Sequence, residues 1–266
     1  MAAGIGRGFG TEWVKIGAIK VFLDGGMSSR TAAVTKPYAH PPGIGKGILN
    51  DDQKGINREI EKFDQVGYQV SVHAQGDRAL EMVLKAFARV IAKGNPLRHQ
   101  IVHAGNLIRA QIGKVEELGL YIASQAHCFS LLGDGFIEAY GHARSQELYP
   151  FATLLRRGIK LALSSDCPVA ERNPLIGVRD AICRRTPSGQ DLGVAECITV
   201  EQAIALYTRE ASYFSFEENE RGNLKEGKVA DLVVLDKDPL QLSPDEIPNC
   251  RVKMTVVGGR IVYDGR

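Results

Sequence analysis

Lys20, His73, His103 and Asp166 each lie on or close an apolar run of strand type. The runs are Ile19-Lys20-Val21-Phe22-Leu23, Tyr68 to Val72, Gln100-Ile101-Val102 and Leu161 to Ser165. Imidazole and carboxylate are metal donors, and a lysine inside an apolar strand is expensive unless its nitrogen is used. In (β/α) barrels the carboxyl ends of the strands carry the active site, so polar groups at four strand ends can converge on one cation. Each residue also has a plainer reading. Lys20 can pair with Asp24 as a salt-bridged strand end. A strand-end histidine can be a hydrogen-bonded core residue, and Asp166 can cap a turn before Cys167-Pro168. The joint pattern, not any single residue, favours convergence.

Strands must place these groups. Side chains alternate along a strand, so Lys20, Phe22 and Asp24 share one face of the first run, which reads as buried. Gln69, Ser71 and His73 share a face of the second, and Lys160, Ala162, Ser164 and Asp166 a face of the fifth. His99 lies on the face of His103, lower on its strand, and reads as interior. A Pro/Gly-rich loop, 36–47, follows the first strand. Ile56, Ile60, Phe63 and Val66 recur at helical spacing within 51–67. Leu80, Val83, Leu84, Phe87 and Ile91 mark the next helix, stopped by Lys93-Gly94-Asn95-Pro96. Helices are expected again at 111–118 and 146–157, with strands at 98–104, 120–127 and 159–166. Strands separated by helices of this length imply βαβ units and a parallel sheet. Five are legible, one each at Lys20, His73, His103, Gln125 and Asp166.

The remainder differs. Thr199-Val200-Glu201-Gln202 reads as a capping box opening a helix through Tyr213. Residues 231–236 and 252–263 read as short strands, with Gly258-Gly259 as a hairpin tip. The expected fold is α/β, with one domain over 1–215 and a small β segment over 216–266.

Composition sets the class. The chain has 266 residues, 44% hydrophobic and 24% charged, with a net charge of +2 and both signs interspersed. That is ordinary globular composition and offers no surface for nucleic acid or anionic membrane. No apolar run approaches the roughly 20 residues of a membrane span, and the first residues lack the apolar core of a signal peptide. Cys128, Cys167, Cys183, Cys197 and Cys250 are scattered, with no Cys-x-x-Cys pair, against both a disulfide framework and a cysteine zinc site. A reducing cytoplasm is the expected setting.

As a set, these segments resemble the amidohydrolase superfamily, in the branch of the N-substituted formamide deformylases and YtcJ-like metal-dependent hydrolases. Ile19 to Gly25 followed by Ser29-Arg30-Thr31-Ala32 is similar to one of its signatures. Val72 to Ala79 resembles its second motif, Arg98 to Ala104 its third, and Ser164 to Val169 its last barrel motif. Gly222 to Asp236 and Thr255 to Tyr263 resemble its carboxyl-terminal β segment. The resemblance implies a (β/α)8 TIM barrel, of which this chain carries the equivalents of strands 4–8, plus a small β-sandwich segment. It implies that Lys20 is carboxylated and bridges two divalent metal ions, zinc first among them. His73 and His103 bind metal, and Asp166 binds metal and acts as general base. Burial would favour the neutral amine that carboxylation needs. Metal-activated water would then attack the C–N bond of an amide, formamide or cyclic amide, a small-molecule substrate. Asp24, Arg30, Gln125 and His127 are candidate substrate contacts, with a structural loop role equally open for each. Asp77 and Arg78 read as a helix-start ion pair.

The chain also departs from the family pattern. The family's first barrel strand carries a His-x-His pair, and no two histidines here are two residues apart. The expectation is the carboxyl-terminal part of a longer hydrolase, with an incomplete metal site. Five strands cannot close an eight-stranded barrel. The strands of Lys20 and Asp166 should therefore be sheet edges that recruit a second copy. Two other readings stay open: an inactive fold remnant or partner-binding module, and a metal-free barrel isomerase or lyase.

Overall fold

The computed structural model describes residues 5–91 and 94–265. Lys93 of the expected helix terminator lies outside the described residues. The elements run β1 (Ile19–Phe22), α1 (Gln53–Asp64), β2 (Val70–Ala74), α2 (Asp77–Val90), β3 (Gln100–His103), α3 (Arg109–Glu117), β4 (Tyr121–Ser124), α4 (Cys128–Tyr140), α5 (His142–Ser145), α6 (Phe151–Arg156), β5 (Leu161–Leu163), α7 (Pro174–Cys183), α8 (Val200–Tyr207), α9 (Arg209–Phe214), β6 (Leu232–Leu235), β7 (Val252–Val257) and β8 (Arg260–Asp264). The sheet order is β1-β2-β3-β4-β5, with β6-β7-β8 as a second, three-stranded sheet. The fold is α/β, as the alternation of strand and helix segments implied.

The chain divides into two compact units. One comprises the residues up to Ser124 with Leu132–Lys160, and the other Gln125–Leu131 with Leu161–Arg266. In the first unit β1, β2, β3 and β4 are parallel neighbours. One face of these strands carries the apolar set Val70, Val72 and Ile101, all buried. Helices α1 and α2 bury Ile56, Ile60, Leu80, Val83 and Phe87, each such side chain contributing about 1.5–3 kcal/mol. The Asp52 side chain caps α1 by accepting from the Gly55 N–H at 2.8 Å. His99 is buried within this helical layer. Its ring stacks on Phe87, its Nδ1 accepts from the Val70 N–H at 3.0 Å, and its Nε2 lies 3.0 Å from Asp64.

Strand β1 departs from expectation. It alternates half-buried and exposed positions, and Lys20 and Phe22 occupy the exposed ones. β1 is the terminal strand of the sheet order, where a strand has a neighbour on one side only.

In the second unit, α8 opens on the expected capping box. The Thr199 side chain accepts from the Gln202 N–H at 3.2 Å, and Gln202 Oε1 accepts from the Thr199 N–H at 2.9 Å. The expected single helix through Tyr213 breaks at Thr208, whose φ of −122° and ψ of −88° are not helical. Strands β6, β7 and β8 are antiparallel neighbours. Gly258 and Gly259 take positive φ at the β7–β8 tip, the backbone a two-residue hairpin turn requires.

Candidate metal centre

Strand register decides which polar groups meet. In the first unit Lys20 stands beside Ser71 and Phe22 beside His73, while His73 stands beside Val102 and Ala74 beside His103. Side chains in register point to one face, so Lys20, Phe22 and His73 share a face. Alternation alone would send His103 to the other. The backbone prevents this: His103 and Ala104 take φ of +74° and +52° as β3 ends. That left-handed region is uncommon for residues other than glycine, and such residues cluster at functional sites. The alternation breaks there, and the His103 ring lies 4.4 Å from that of His73, edge to face.

Each neighbour of His73 has a definable effect. Nε2 lies 3.2 Å from the Gly25 carbonyl and 3.5 Å from Asp24 Oδ1. Both are acceptors, so the proton belongs on Nε2 and the ring lone pair on Nδ1. Metal-binding histidines are oriented in this way, by an acceptor on the nitrogen that does not ligate. Phe22 stacks on the ring at 5.0 Å, and Lys20 Nζ lies 5.0 Å from the Phe22 ring centre. Asp24 is fully engaged with backbone. Its carboxylate accepts from the N–H groups of Ala33, Gln75 and Gly76 at 2.8–2.9 Å. Burial pushes its carboxyl up to about 6, against the pull of those three donors. Gly76 is required here, because a Cβ would stand 2.0 Å from the Ala33 carbonyl oxygen. Arg30 takes φ of +60°, pairs with Glu138 at 2.7 Å and donates to the carbonyls of Ser28 and His40. At the start of α2 the Asp77 carboxylate accepts from the backbone N–H and the hydroxyl of Thr35, where an ion pair with Arg78 was expected.

The second unit holds Asp166, Gln125 and His127. Asp166 is exposed with φ of +57°, and its carbonyl accepts from the Val169 N–H in the turn that follows β5. Gln125 is buried and donates to Ser164 Oγ at 3.1 Å. His127 is held at both ring nitrogens. Nε2 donates to the Asn173 carbonyl at 2.9 Å, and Nδ1 accepts from the Tyr207 hydroxyl at 3.3 Å. Burial pushes the His127 imidazole below, and the Tyr207 phenol above, their ordinary values. Sequence does not single out Tyr207, since a tyrosine in an amphipathic helix carries no mark of a histidine partner. Asp180 escapes sequence reading for the same reason. It is fully buried, accepts from Ser130 Oγ at 2.5 Å and pairs with Arg179 at 2.6 Å.

The chemistry of the donor set tests the fit to a cation. Two imidazoles with ring centres 4.4 Å apart, one with its proton held on Nε2 by the Gly25 carbonyl, suit zinc and similar transition metals. A catalytic zinc takes three protein ligands. Among the described residues no group of three or more His, Cys, Asp or Glu side chains is arranged to hold a metal ion. The pair fits one part of a coordination shell.

Parallel βα units with imidazoles gathered at strand ends define a (β/α)-barrel type of protein. The chain belongs to the amidohydrolase family, whose sequence profile matches residues 3–263. It is 32% identical over 255 residues to YtcJ of Bacillus subtilis, which bears an amidohydrolase name, covering 95% of this chain and 48% of that protein. It is 28% identical over 207 residues to the N-substituted formamide deformylase of Arthrobacter pascens, covering 76% of this chain and 38% of that enzyme. A metal-dependent hydrolase of Pyrococcus horikoshii superimposes with a TM-score of 0.81 at 27% identity, over 92% of this chain and 49% of that one. The chain thus spans about half the length of the curated relatives it matches. Its α/β fold is that of part of a TIM-type barrel with a small β segment.

Proposed function

We propose that this chain forms part of a metal-dependent hydrolase that cleaves C–N bonds of non-peptide amides, formamides or cyclic amides. The observation that carries the reading is the meeting of His73 and His103 at 4.4 Å, against strand alternation. Family membership and the formamide deformylase relative supply the reaction class. His73 and His103 would hold a divalent cation, zinc by donor type, with Lys20 and Asp166 as further ligands. Bound there, the cation would polarise the scissile carbonyl and acidify water. Asp166, as the resemblance implies, would take the proton of that water and return it to the leaving nitrogen. Asp24 braces the loops around His73 through its three N–H bonds, and Gly25 holds the His73 proton. The substrate contacts proposed for Arg30, Gln125 and His127 rest on their positions near strand ends. All five cysteines are free thiols, which supports a reducing, cytoplasmic setting. Among the described residues no helix is long and apolar enough to cross a membrane.

The test is zinc titration by calorimetry, with hydrolysis of N-substituted formamides and cyclic amides assayed on the same samples. Binding should fall at least about tenfold in His73→Ala and in His103→Ala, and any hydrolysis should fall with it. Hydrolysis that survives chelation and both substitutions would show that the reaction does not use the His73–His103 pair as a metal site. The exposure of Lys20 favours a second reading, a partner-binding module without activity. Neither binding nor turnover, in this chain or in a fusion to the amino-terminal half of YtcJ, would establish it. The exposed side chains of Phe9, Trp13, Val14, Ile16 and Phe22 support self-association through the β1 edge.

A further inference from the structure

The turn that brings His103 to His73 rests on one peptide group. His103 and Ala104 both take positive φ, so the peptide between them lies between two left-handed residues, each uncommon outside glycine. Such a backbone persists only where its surroundings hold it. Two bonds hold this one. The Ala104 N–H donates to the Ala74 carbonyl on β2 at 3.1 Å. The His103 carbonyl accepts from Ser124 Oγ on β4 at 2.7 Å. Regular β3–β4 pairing has already ended, with Val102 and Ala123 as the last partners in register. A buried carbonyl beyond the ladder needs another donor. Ser124, itself 1% exposed, supplies one from its hydroxyl. The bond to β2 joins backbone to backbone. The bond to β4 depends on one side chain.

We propose that Ser124 is a positioning residue for the His73–His103 pair. Its hydroxyl fixes the peptide between His103 and Ala104, and through that peptide it sets the direction of the His103 imidazole. The inference rests on the metal-site reading above, and in it Ser124 touches neither cation nor substrate. Without the hydroxyl the peptide loses its tie to β4. The His103 side chain can then return to the face that strand alternation gives it, away from His73. Groups that orient metal-binding histidines typically change affinity about ten- to a hundredfold.

The experiment compares the full chain with Ser124→Ala, Ser124→Thr and Ser145→Ala. Threonine keeps a hydroxyl. Ser145, in α5, is another buried serine of the same unit, and its Oγ donates to the His142 carbonyl at 2.8 Å. Ser145→Ala therefore removes a like bond in another element. Calorimetric zinc titration should show affinity about tenfold or more weaker in Ser124→Ala, and within about threefold of wild type in the other two variants. NMR of the metal-free chain with labelled histidine rings gives a second readout. A nuclear Overhauser contact between the His73 and His103 rings is expected in wild type and Ser124→Thr, and its loss in Ser124→Ala. A ring contact that survives in Ser124→Ala, or is missing from wild type, overturns the proposal whatever zinc does. So does a Ser124→Thr variant that behaves as Ser124→Ala, or an equal loss of affinity in Ser145→Ala. A wild type that shows the ring contact and binds no zinc defeats the metal-site reading instead, and the ring contact alone then decides the role of Ser124.

Discussion

A single backbone angle, φ of +74° at His103, brings two imidazoles together that strand pairing alone would separate. The other histidine of that segment, His99, behaves differently. Its side chain stays on the helical face, stacked on Phe87 and bonded to Asp64. Burial pushes the His99 imidazole below the ordinary histidine value, and Asp64 only partly opposes this. The folded state therefore resists a proton that the unfolded chain accepts near pH 6.5. By linkage, the stability tied to a neutral His99 is present above about pH 6.5 and is lost as pH falls from there toward the folded-state value. Urea denaturation at about pH 7.5 and about pH 5.5, either side of that value, should show a larger loss of stability in the wild type than in His99→Gln. Equal losses would rule out His99 as a contributor. The residue types of the candidate site were legible in sequence, as imidazoles closing apolar runs. The meeting of His73 and His103 was not, because it depends on register and on one left-handed residue, and neither leaves a periodic trace.

Elements show where sequence periodicity works and where it fails. The five strands were legible because apolar runs end in polar residues, and α1 and α2 because their apolar residues recur at helical spacing. Helix α4 was not, since Gly133 and Gly135 interrupt an otherwise apolar run. Helix α7 follows Asn173-Pro174, a start signal that is easily read as a turn. The apolar run of β1 implies a burial that the structure does not give to Lys20 and Phe22, because such a run reports strand propensity, whereas burial of a strand face depends on what packs over it. Within the second unit, α7 must come close to His127 and Tyr207, and Gly177 makes that approach possible. A Cβ there would stand 1.8 Å from the Tyr207 hydroxyl oxygen and 2.7 Å from His127 Nδ1. Gly177→Ala should therefore destabilise the second unit by about 1–3 kcal/mol, although alanine favours helix by up to about 1 kcal/mol in an open position. Thermal unfolding of the variant checks this. A midpoint at or above the wild-type value would show that the His127–Tyr207 contact is not a constraint on α7.

At the scale of the whole molecule, the chain carries an amidohydrolase fold over nearly all its length and matches about half of its curated relatives. In the first unit Phe9, Trp13, Val14 and Ile16 are exposed ahead of β1, and Phe22 on the strand itself. Contiguous exposed apolar residues on a globular protein mark a surface that a partner covers. Trp13 is the sole tryptophan of the chain and is 68% exposed, so its fluorescence reports on this region alone. In dilute solution it should emit as tryptophan does in water and be readily quenched by acrylamide. If the β1 edge is covered by a second copy, raising the protein concentration should shift that emission to shorter wavelength and reduce quenching, and Phe22→Asp should abolish both changes. Emission and quenching that stay constant while sedimentation reports a dimer would show that association leaves this edge open, and would assign the contact to another surface.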